Sequence, residues 1–247
     1  MTHLDKGVWE NRHTARLFSD TNTEIKAEDL TYLQTVINNT PSQCSIKSNF
    51  WILLGQSKED MIIRKWLLDN VYYIRNTDDS DKNNPNGEKE HMIGVLQAPA
   101  ILHCVRTNSP WANPEEEKSA EDHKELADRS EGFFAGVILA TLKMLGYEVA
   151  TFGCTSGIHE DLEKRSSEYD SMIKNRYKDQ LLEIIEKFPG KHGNWEDIEF
   201  YPSISTCFGP EATDNLERFV GTYNIWNGYK FINGHKERTP ATTCIGF

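Results

Sequence analysis

Residues Gly132 to Leu145 read GFFAGVILATLKML, and this stretch says more about the fold than any other part of the 247-residue chain. Apolar side chains fall on almost every side of a helix drawn through it. A helix that is apolar all round must be enclosed by protein, either in a core or at a subunit interface. We therefore expect a long buried central helix here.

Periodic segments flank this helix on both sides, and they predict a chain that alternates helices with short strands. Before it we predict a helix at 24–38 that ends at Asn38 to Pro41, a strand at 50–54, a helix at 59–71, a polar loop at 76–89, a strand at 98–105 and an acidic surface segment at 115–131. After it we predict strands at 147–152 and 199–208, separated by a charged helix at 160–188. No internal repeat or boundary divides the chain, so residues 1–247 are expected to form a single domain.

Composition excludes several classes of protein. An apolar content of 38% is enough for a core, and the formal net charge of −11 disfavours nucleic acid as a partner. The charged N-terminus lacks the apolar stretch of a secretion signal, and no segment reaches the length of a membrane span. Five scattered cysteines without a CxxC pair favour neither a disulfide framework nor a zinc ribbon. We expect a cytoplasmic protein that does not bind a membrane.

Common catalytic signatures are missing from the sequence. It has no G-x-S-x-G, H-E-x-x-H, G-x-x-x-x-G-K-[ST] or G-x-G-x-x-G motif, and no pair of histidines at helical i, i+4 spacing. Hydrolase, phosphate-loop and Rossmann chemistry therefore lack their usual sequence support, and no metal site is expected. An enzyme that uses FMN needs none of these motifs, because the flavin supplies the chemistry.

The first positive signal is a basic segment near the N-terminus, Asn11 to Phe18, which reads NRHTARLF. Arg12 and Arg16 offer forked donors, and His13 and Thr14 add two further polar groups. Together these side chains could bind a phosphate. A short basic segment near a terminus can equally be ordinary solvated surface.

This segment resembles the R-[RH]-S-x-[RK]-x-F opening of the nitroreductase family, whose early residues hold the phosphate of FMN. The segment Thr40 to Ser45, followed by Phe50 to Leu53, is similar to the turn and strand with which the family contacts the flavin ring. The resemblance assigns flavin contacts to Pro41, Ser42, Gln43 and Ser45. The sequence departs from the family at Ser45, where Asn is usual, and at Lys47 to Asn49, where Gln-Pro-Trp is usual.

Later segments extend the resemblance in the same order. Ala98-Pro99 before an apolar strand is similar to the family's A-P-[VI] strand, and Leu145-Gly146-Tyr147 resembles the end of its central helix. Gly153 and Cys154 stand at positions where, in the family, main-chain amides approach the reactive nitrogen of the flavin. Tyr201 to Pro210 resembles the last core strand, and Lys236 and Arg238 resemble the K-x-R-x-P that completes the phosphate site. A competing alignment makes Thr243 to Phe247 the last strand and leaves Lys236 and Arg238 as solvated charges.

The resemblance implies an α+β fold, an α/β sandwich in which helices flank a central mixed sheet, assembled as an intertwined homodimer with FMN at the interface. It implies an oxidoreductase that passes electrons from NADH or NADPH through FMN to a small acceptor, such as a nitroaromatic or a quinone, by a ping-pong mechanism. A specialised relative that degrades flavin, dehalogenates or oxidises azolines is a narrower possibility. Two other interpretations stay open: a non-catalytic or degenerate flavin-binding protein, and an unrelated α/β protein.

Overall fold

The structure is a computed structural model, and its description covers selected parts of the chain: residues 18, 24–41, 47–67, 70, 98–111, 120–152, 160–187, 198–210, 231–232 and 235–236. Within these ranges the helices are α1 (Ala27–Asn39), α2 (Lys58–Leu67), α3 (Ala120–Met144) and α4 (Glu160–Lys187). The strands are β1 (Lys47–Leu54), β2 (Ala100–Trp111), β3 (Glu148–Phe152), β4 (Phe200–Gly209), β5 (Phe231–Ile232) and β6 (His235–Lys236).

Four strands form the main sheet in the order β1-β2-β4-β3, and β5 and β6 pair separately as a short hairpin. Strand β1 is antiparallel to β2, β2 is antiparallel to β4, and β3 is antiparallel to β4. The central pair β2 and β4 therefore brings together segments that lie about a hundred residues apart in the sequence, as in the pairing of His103 with Ser205.

Helices cover both faces of this sheet, and each face has its own apolar core. On one face α2 and α4 contribute Ile63, Trp66, Tyr169 and Ile173, which pack on strand residues that include Ile101. On the other face α1 and α3 contribute Leu33, Ile138 and Leu142, which pack on residues that include Leu102 and Phe208. Alternating residues of each strand point to opposite faces, so Ile101 and Leu102 enter different cores. The result is a three-layer sandwich.

Helix α3 ends where the sequence places its stop signal. Gly146 has a φ of 89°, a left-handed conformation that glycine adopts without steric cost. Its amide donates to the carbonyl of Lys143 over 3.2 Å, and the amide of Tyr147 donates to the carbonyl of Leu142 over 3.0 Å. This pair of bonds is the Schellman arrangement, which satisfies the last carbonyls of the helix and turns the chain into β3.

A buried arginine fixes the chain that leads into β2. Arg64 of α2 is fully buried, and it donates to the carbonyl of Ala98 over 2.6 Å and to the carbonyl of Leu54. Burial lowers the pKa of Arg64 to about 10, so the guanidinium stays charged at neutral pH. Beside this segment Gly209 lies so close to Pro99 that a Cβ built on the glycine would meet the proline Cδ at 2.5 Å. Only glycine fits there.

The α+β class and the helix-flanked central sheet that the sequence predicts are confirmed. The predicted strands at 50–54, 98–105, 147–152 and 199–208 correspond to β1, β2, β3 and β4. Among the described strands every pairing is antiparallel, whereas a mixed sheet was expected. No helix among the described residues is both long enough and apolar enough to cross a membrane.

The acidic segment before the central helix was predicted to lie on the surface, but its last two residues are buried. Helix α3 begins at Ala120, well before Gly132, and it carries Ser130 and Glu131 into buried positions. Glu131 accepts hydrogen bonds from Arg106 of β2 and from the hydroxyl of Ser203 in β4. A buried carboxylate is tolerated when it is paired and hydrogen-bonded, and the partners of Glu131 come from strands distant in sequence.

The described single chain does not enclose all of α3. Phe133 is 52% exposed and Met144 is 54% exposed, while Ile138 and Leu142 on the opposite side of the helix are buried. Phe133 and Met144 thus depart from the expected all-round burial of this helix. The subunit interface stays a prediction.

Candidate functional site

Two described strands, β1 and β3, flank the predicted flavin contacts in the sequence. Because β1 and β4 run opposite to β2, the starts of β1 and β4 lie at the same edge as the end of β2, and β3 runs toward this edge but ends at Phe152, level with Ser205 of β4. We call this edge the site edge. The turn that precedes Lys47, with the predicted contacts Pro41 to Ser45, leads into it. The predicted contacts Gly153 and Cys154 come directly after Phe152, the last residue of β3, in the sequence and lie outside the described residues.

The strands next to these two segments, β1 and β3, are the two outer strands of the sheet. Phe152 pairs with Ser205, Ser205 with His103, and His103 with Ile52, so the full width of the sheet separates β3 from β1. Three strand spacings correspond to about 14 Å, and Lys47 lies about 17 Å further along β1 than Ile52. The end of β3 and the start of β1 are thus roughly 20 Å apart by this geometry.

Local capping defines where the ring-contact turn begins. The side chain of Thr40 donates to the carbonyl of Val36 over 2.7 Å, and the side-chain amide of Asn39 donates to the carbonyl of Thr35 over 2.8 Å. These bonds satisfy carbonyls in the last turn of α1, and the following proline, Pro41, cannot continue a helix. Pro41 is exposed. The helix and its stop were therefore predicted correctly.

Most of the predicted cofactor-binding residues lie outside the described part of the chain, and their assignment stays a prediction. This set comprises Arg12, His13, Thr14, Arg16, Ser42, Gln43, Ser45, Gly153, Cys154 and Arg238. Lys236 is described only in its backbone, where it pairs with Phe231 in the β5-β6 hairpin. The segment Thr243 to Phe247, the competing candidate for the last strand, also lies outside the described residues, while Phe200–Gly209 forms the central strand β4.

Phe18 is the one described residue of the basic N-terminal segment. Its side chain is buried in the core on the α2 and α4 face. It approaches Gly209 at the end of β4, with its Cδ1 3.5 Å from the position of a Cβ on that glycine. This contact lies at the edge of the sheet opposite the site edge, and it anchors the C-terminal end of the segment that contains Arg12 and Arg16.

An ion-pair cluster at the site edge joins α3 to the two central strands. Arg106 of β2 pairs with Glu131 and with Asp128 of α3, and Glu131 also accepts from Ser203 of β4. Two of these groups, Glu131 and Ser203, are buried. Glu131 was predicted at the start of the central helix, and no local pattern in the sequence indicates its partners. The cluster fixes the first half of α3 against the edge.

A buried polar network on the other face of the sheet was also missed. The imidazole of His103 is completely buried between the sheet and α4. Its Nδ1 lies 2.7 Å from Oγ of Ser205, and its Nε2 lies 2.6 Å from the hydroxyl of Tyr169. Burial lowers the pKa of His103 to about 3, so the ring is neutral at physiological pH. The one available sequence signal was a histidine inside an apolar strand, which on its own indicates a satisfied core residue.

Comparisons with known proteins bear on the fold. No protein-family model matches this sequence, and no curated protein matches it significantly. Solved structures do match. A Staphylococcus epidermidis protein that carries the name of an NAD(P)H:FMN oxidoreductase aligns with a TM-score of 0.53 at 12% identity, over 87% of this chain and 91% of that one.

Two further matches contain the cofactor. A nitroreductase with bound FMN from Desulfitobacterium hafniense aligns with a TM-score of 0.51 at 16% identity, over 86% of this chain and 92% of that one. A protein from Exiguobacterium sibiricum, named as a nitroreductase and solved in complex with FMN, aligns with a TM-score of 0.51 at 13% identity, over 85% and 89% of the two chains. This chain therefore has a nitroreductase-like fold, as its motifs predicted.

Proposed function

We propose that the chain is an FMN-dependent oxidoreductase, built as a single FMN-binding domain over residues 1–247. In this proposal it takes electrons from NADH or NADPH and passes them to a small electron-poor acceptor of the nitroaromatic or quinone type. The observation that carries the proposal is the fold that this chain shares with proteins solved with FMN.

The donor set suits FMN by its chemistry. Arg12, Arg16, Lys236 and Arg238 would supply the cations that a phosphate requires. Gln43 and the amides of Gly153 and Cys154 would supply hydrogen-bond donors to the flavin ring, where negative charge grows on reduction. Bound FMN would provide the hydride and electron transfer itself. The protein's own part is to hold the ring, to stabilise that charge, and to leave one face open to flat substrates.

A second copy of the chain would complete the site. Strands β1 and β3 flank the two predicted ring-contact segments and are the outer strands of one sheet, so both segments would reach a single flavin if β1 of one copy faced β3 of another. Helix α3 offers a surface for such pairing, because Phe133 and Met144 are exposed and a Cβ added at Gly132 or Gly136 would meet open space. Large apolar side chains beside small residues favour close packing against a partner helix. We propose a homodimer on this basis.

The departures at the ring-contact turn favour one alternative enough to test it. Lys47 and Asn49 begin β1, with an irregular register between them, where the family resemblance would place Gln-Pro-Trp. Asn49 pairs with Arg106, and a proline within a paired strand is disfavoured because it lacks the amide donor. The altered turn favours the alternative that the protein binds flavin without turning it over.

The visible absorption spectrum of the purified protein separates these possibilities when it is combined with steady-state turnover. The proposal predicts a yellow protein with flavin absorption bands that oxidises NADH or NADPH when a quinone is present. A yellow protein without turnover would support the flavin-binding alternative. A colourless protein that does not take up added FMN would refute the proposed function.

A further inference from the structure

Strand β4 carries a β-bulge in the middle of the sheet. His103 of β2 pairs with Ser205 of β4, whereas Val105 pairs with Pro202, so two residues of β4, Ser203 and Ile204, lie opposite one residue of β2. A bulge of this kind leaves its extra residue without a regular partner in the ladder. Proline in a central strand is tolerated at such a bulge because it has no amide to donate. The regular pairing of β4 is therefore interrupted directly after Pro202.

The bulge decides which core the first residues of β4 enter. Phe200 and Phe208 are eight residues apart in the sequence, and unbroken alternation would place them on the same face of the sheet. Phe208 packs in the core under α1 and α3, but Phe200 packs in the core on the other face, where its ring centroid lies 6.3 Å from that of Phe50. Loss of the bulge would thus turn the buried Phe200 out of its core.

The carboxylate of Glu131 in α3 contacts both residues of the bulge. Its Oε1 accepts a hydrogen bond from the hydroxyl of Ser203 and one from the amide of Ile204 over 3.4 Å. Its Oε2 accepts from Nε of Arg106 in β2. Glu131 and Ser203 are buried, so these partners replace the water that the carboxylate loses. Glu131 therefore joins α3 to both central strands at the bulge.

Glu131 also bears on the rotation of α3 about its own axis. Successive residues of an α-helix are rotated by about 100°, so Ile138 and Leu142 lie within about 20° of Glu131, and all three are buried. Phe133 and Met144 lie about 200° and about 220° from Glu131, and both are exposed. Glu131 thus extends the buried side of α3 toward the start of the helix, opposite its exposed apolar side chains.

We propose that Glu131 holds α3 against the bulge of β4 and thereby sets the rotation at which α3 presents Phe133 to a second copy of the chain. This inference rests on the homodimer of the proposed function. Two helices pack by fitting the side-chain ridges of one into the grooves of the other, so a helix turned about its axis loses that fit. Contacts that fix the rotation of α3 beside Phe133 therefore strengthen the interface without belonging to it.

The test compares Glu131→Met with Thr141→Val in the full-length protein. Glu131→Met keeps an unbranched side chain that suits a helix and removes every acceptor for the bulge and for Arg106. Thr141 is a second buried polar residue of α3, but its hydroxyl donates to the carbonyl of Val137 in the same helix. Thr141→Val therefore removes a buried hydrogen bond that does not reach the sheet.

Glu131→Gln is the second variant if Glu131→Met does not fold. A glutamine has one carbonyl oxygen, and its amide nitrogen only donates, so it cannot accept from Arg106 on one side and from the bulge on the other. It keeps the length of the glutamate and loses part of its contacts.

The readouts are the hydrogen-exchange rate of the Ile204 amide, measured by NMR, and the dissociation constant of the dimer, measured by sedimentation. We expect Glu131→Met to raise both by about tenfold, the factor that corresponds to one lost hydrogen bond of ordinary strength. Glu131→Gln should raise both by about threefold, because it loses only part of the contacts. Thr141→Val should lower the melting temperature and leave both readouts unchanged.

An Ile204 amide that exchanges equally fast in the Glu131 variants and in the wild type would overturn the contact between Glu131 and the bulge. A dissociation constant that changes no more than in Thr141→Val would overturn the role at the interface. A monomeric wild type would overturn that role whether or not FMN is bound. A dimeric wild type that takes up no FMN would refute the proposed enzyme and leave this inference standing.

Discussion

The guanidinium of Arg12 distinguishes FMN from riboflavin if it binds the phosphate, because riboflavin lacks that group. A charged hydrogen-bonded pair contributes about 2 to 3 kcal/mol, so Arg12→Ala should weaken FMN binding by roughly a hundredfold. Binding of riboflavin should barely change. Titration of the apoprotein with each flavin, followed by fluorescence quenching, measures both affinities.

Arg129→Ala is the matched control, since Arg129 is an exposed arginine whose described partner is Glu125 of the same helix. It should leave both affinities unchanged. If Arg12→Ala weakened FMN and riboflavin equally, the substitution would be acting through folding and not through the phosphate.

His103 makes the stability of the protein depend on pH. Burial lowers its pKa from 6.5 to about 3, so the unfolded chain takes up a proton on this ring at a higher pH than the folded chain does. The contribution of this neutral ring to the free energy of unfolding is therefore fully present above pH 6.5. It is lost progressively as the pH falls from there through the pKa of His103 in the folded protein. Between pH 7.5 and 5.5 the loss from this group should be about 1 kcal/mol.

Urea unfolding of the wild type and of His103→Gln at those two pH values measures this contribution. Every other titrating group is common to both proteins, so the difference between their pH dependences belongs to His103. The wild type should lose more stability on acidification than the variant does. Identical pH dependence in the two proteins would show that His103 titrates alike in the folded and unfolded states.

At the scale of the element, the exposed stripe of α3 carries the prediction about assembly. Phe133 would be buried between two copies, and a charge there would have to be desolvated, so Phe133→Lys should dissociate the dimer. Ile62→Lys is the control, because Ile62 is 56% exposed on α2, on the opposite face of the sheet. Sedimentation at micromolar concentration should give a dimer for the wild type and for Ile62→Lys, and a monomer for Phe133→Lys. A monomeric wild type loaded with flavin would contradict the interface.

The elements themselves were largely predictable, and the exceptions have a physical reason. Helix α3 could be recognised from its apolar core and from Gly146, because periodicity and capping are local properties of the sequence. Its first turns were missed because acidic residues there look like solvated surface. Glu131 is buried only because Arg106 and Ser203, both distant in sequence, satisfy its carboxylate. No local pattern contains that information.

At the scale of the whole molecule, the difference between local sequence patterns and contacts between distant residues also explains which features could be predicted. The order of the short motifs correctly anticipated the nitroreductase-like fold that the solved structures share. Pairing across the sheet could not be anticipated: His103 and Ser205 are 102 residues apart, and Tyr169 is 66 residues from His103. The placement of β1 and β3 on opposite sides of the sheet is likewise a property of strand order, and it is what favours a site completed by a second copy.

The decisive measurement is anaerobic mixing of the FMN-loaded protein with reduced nicotinamide, followed in a second mixing step by a quinone. In a two-stage mechanism the nicotinamide transfers a hydride to FMN and leaves before the acceptor enters the same pocket. We therefore expect full bleaching of the flavin bands without any acceptor present, and full recovery of the bands when quinone is added after the oxidised nicotinamide has been removed. A flavin that bleaches only when quinone and nicotinamide are present together, or that does not bleach with either NADH or NADPH, would contradict the proposed enzyme.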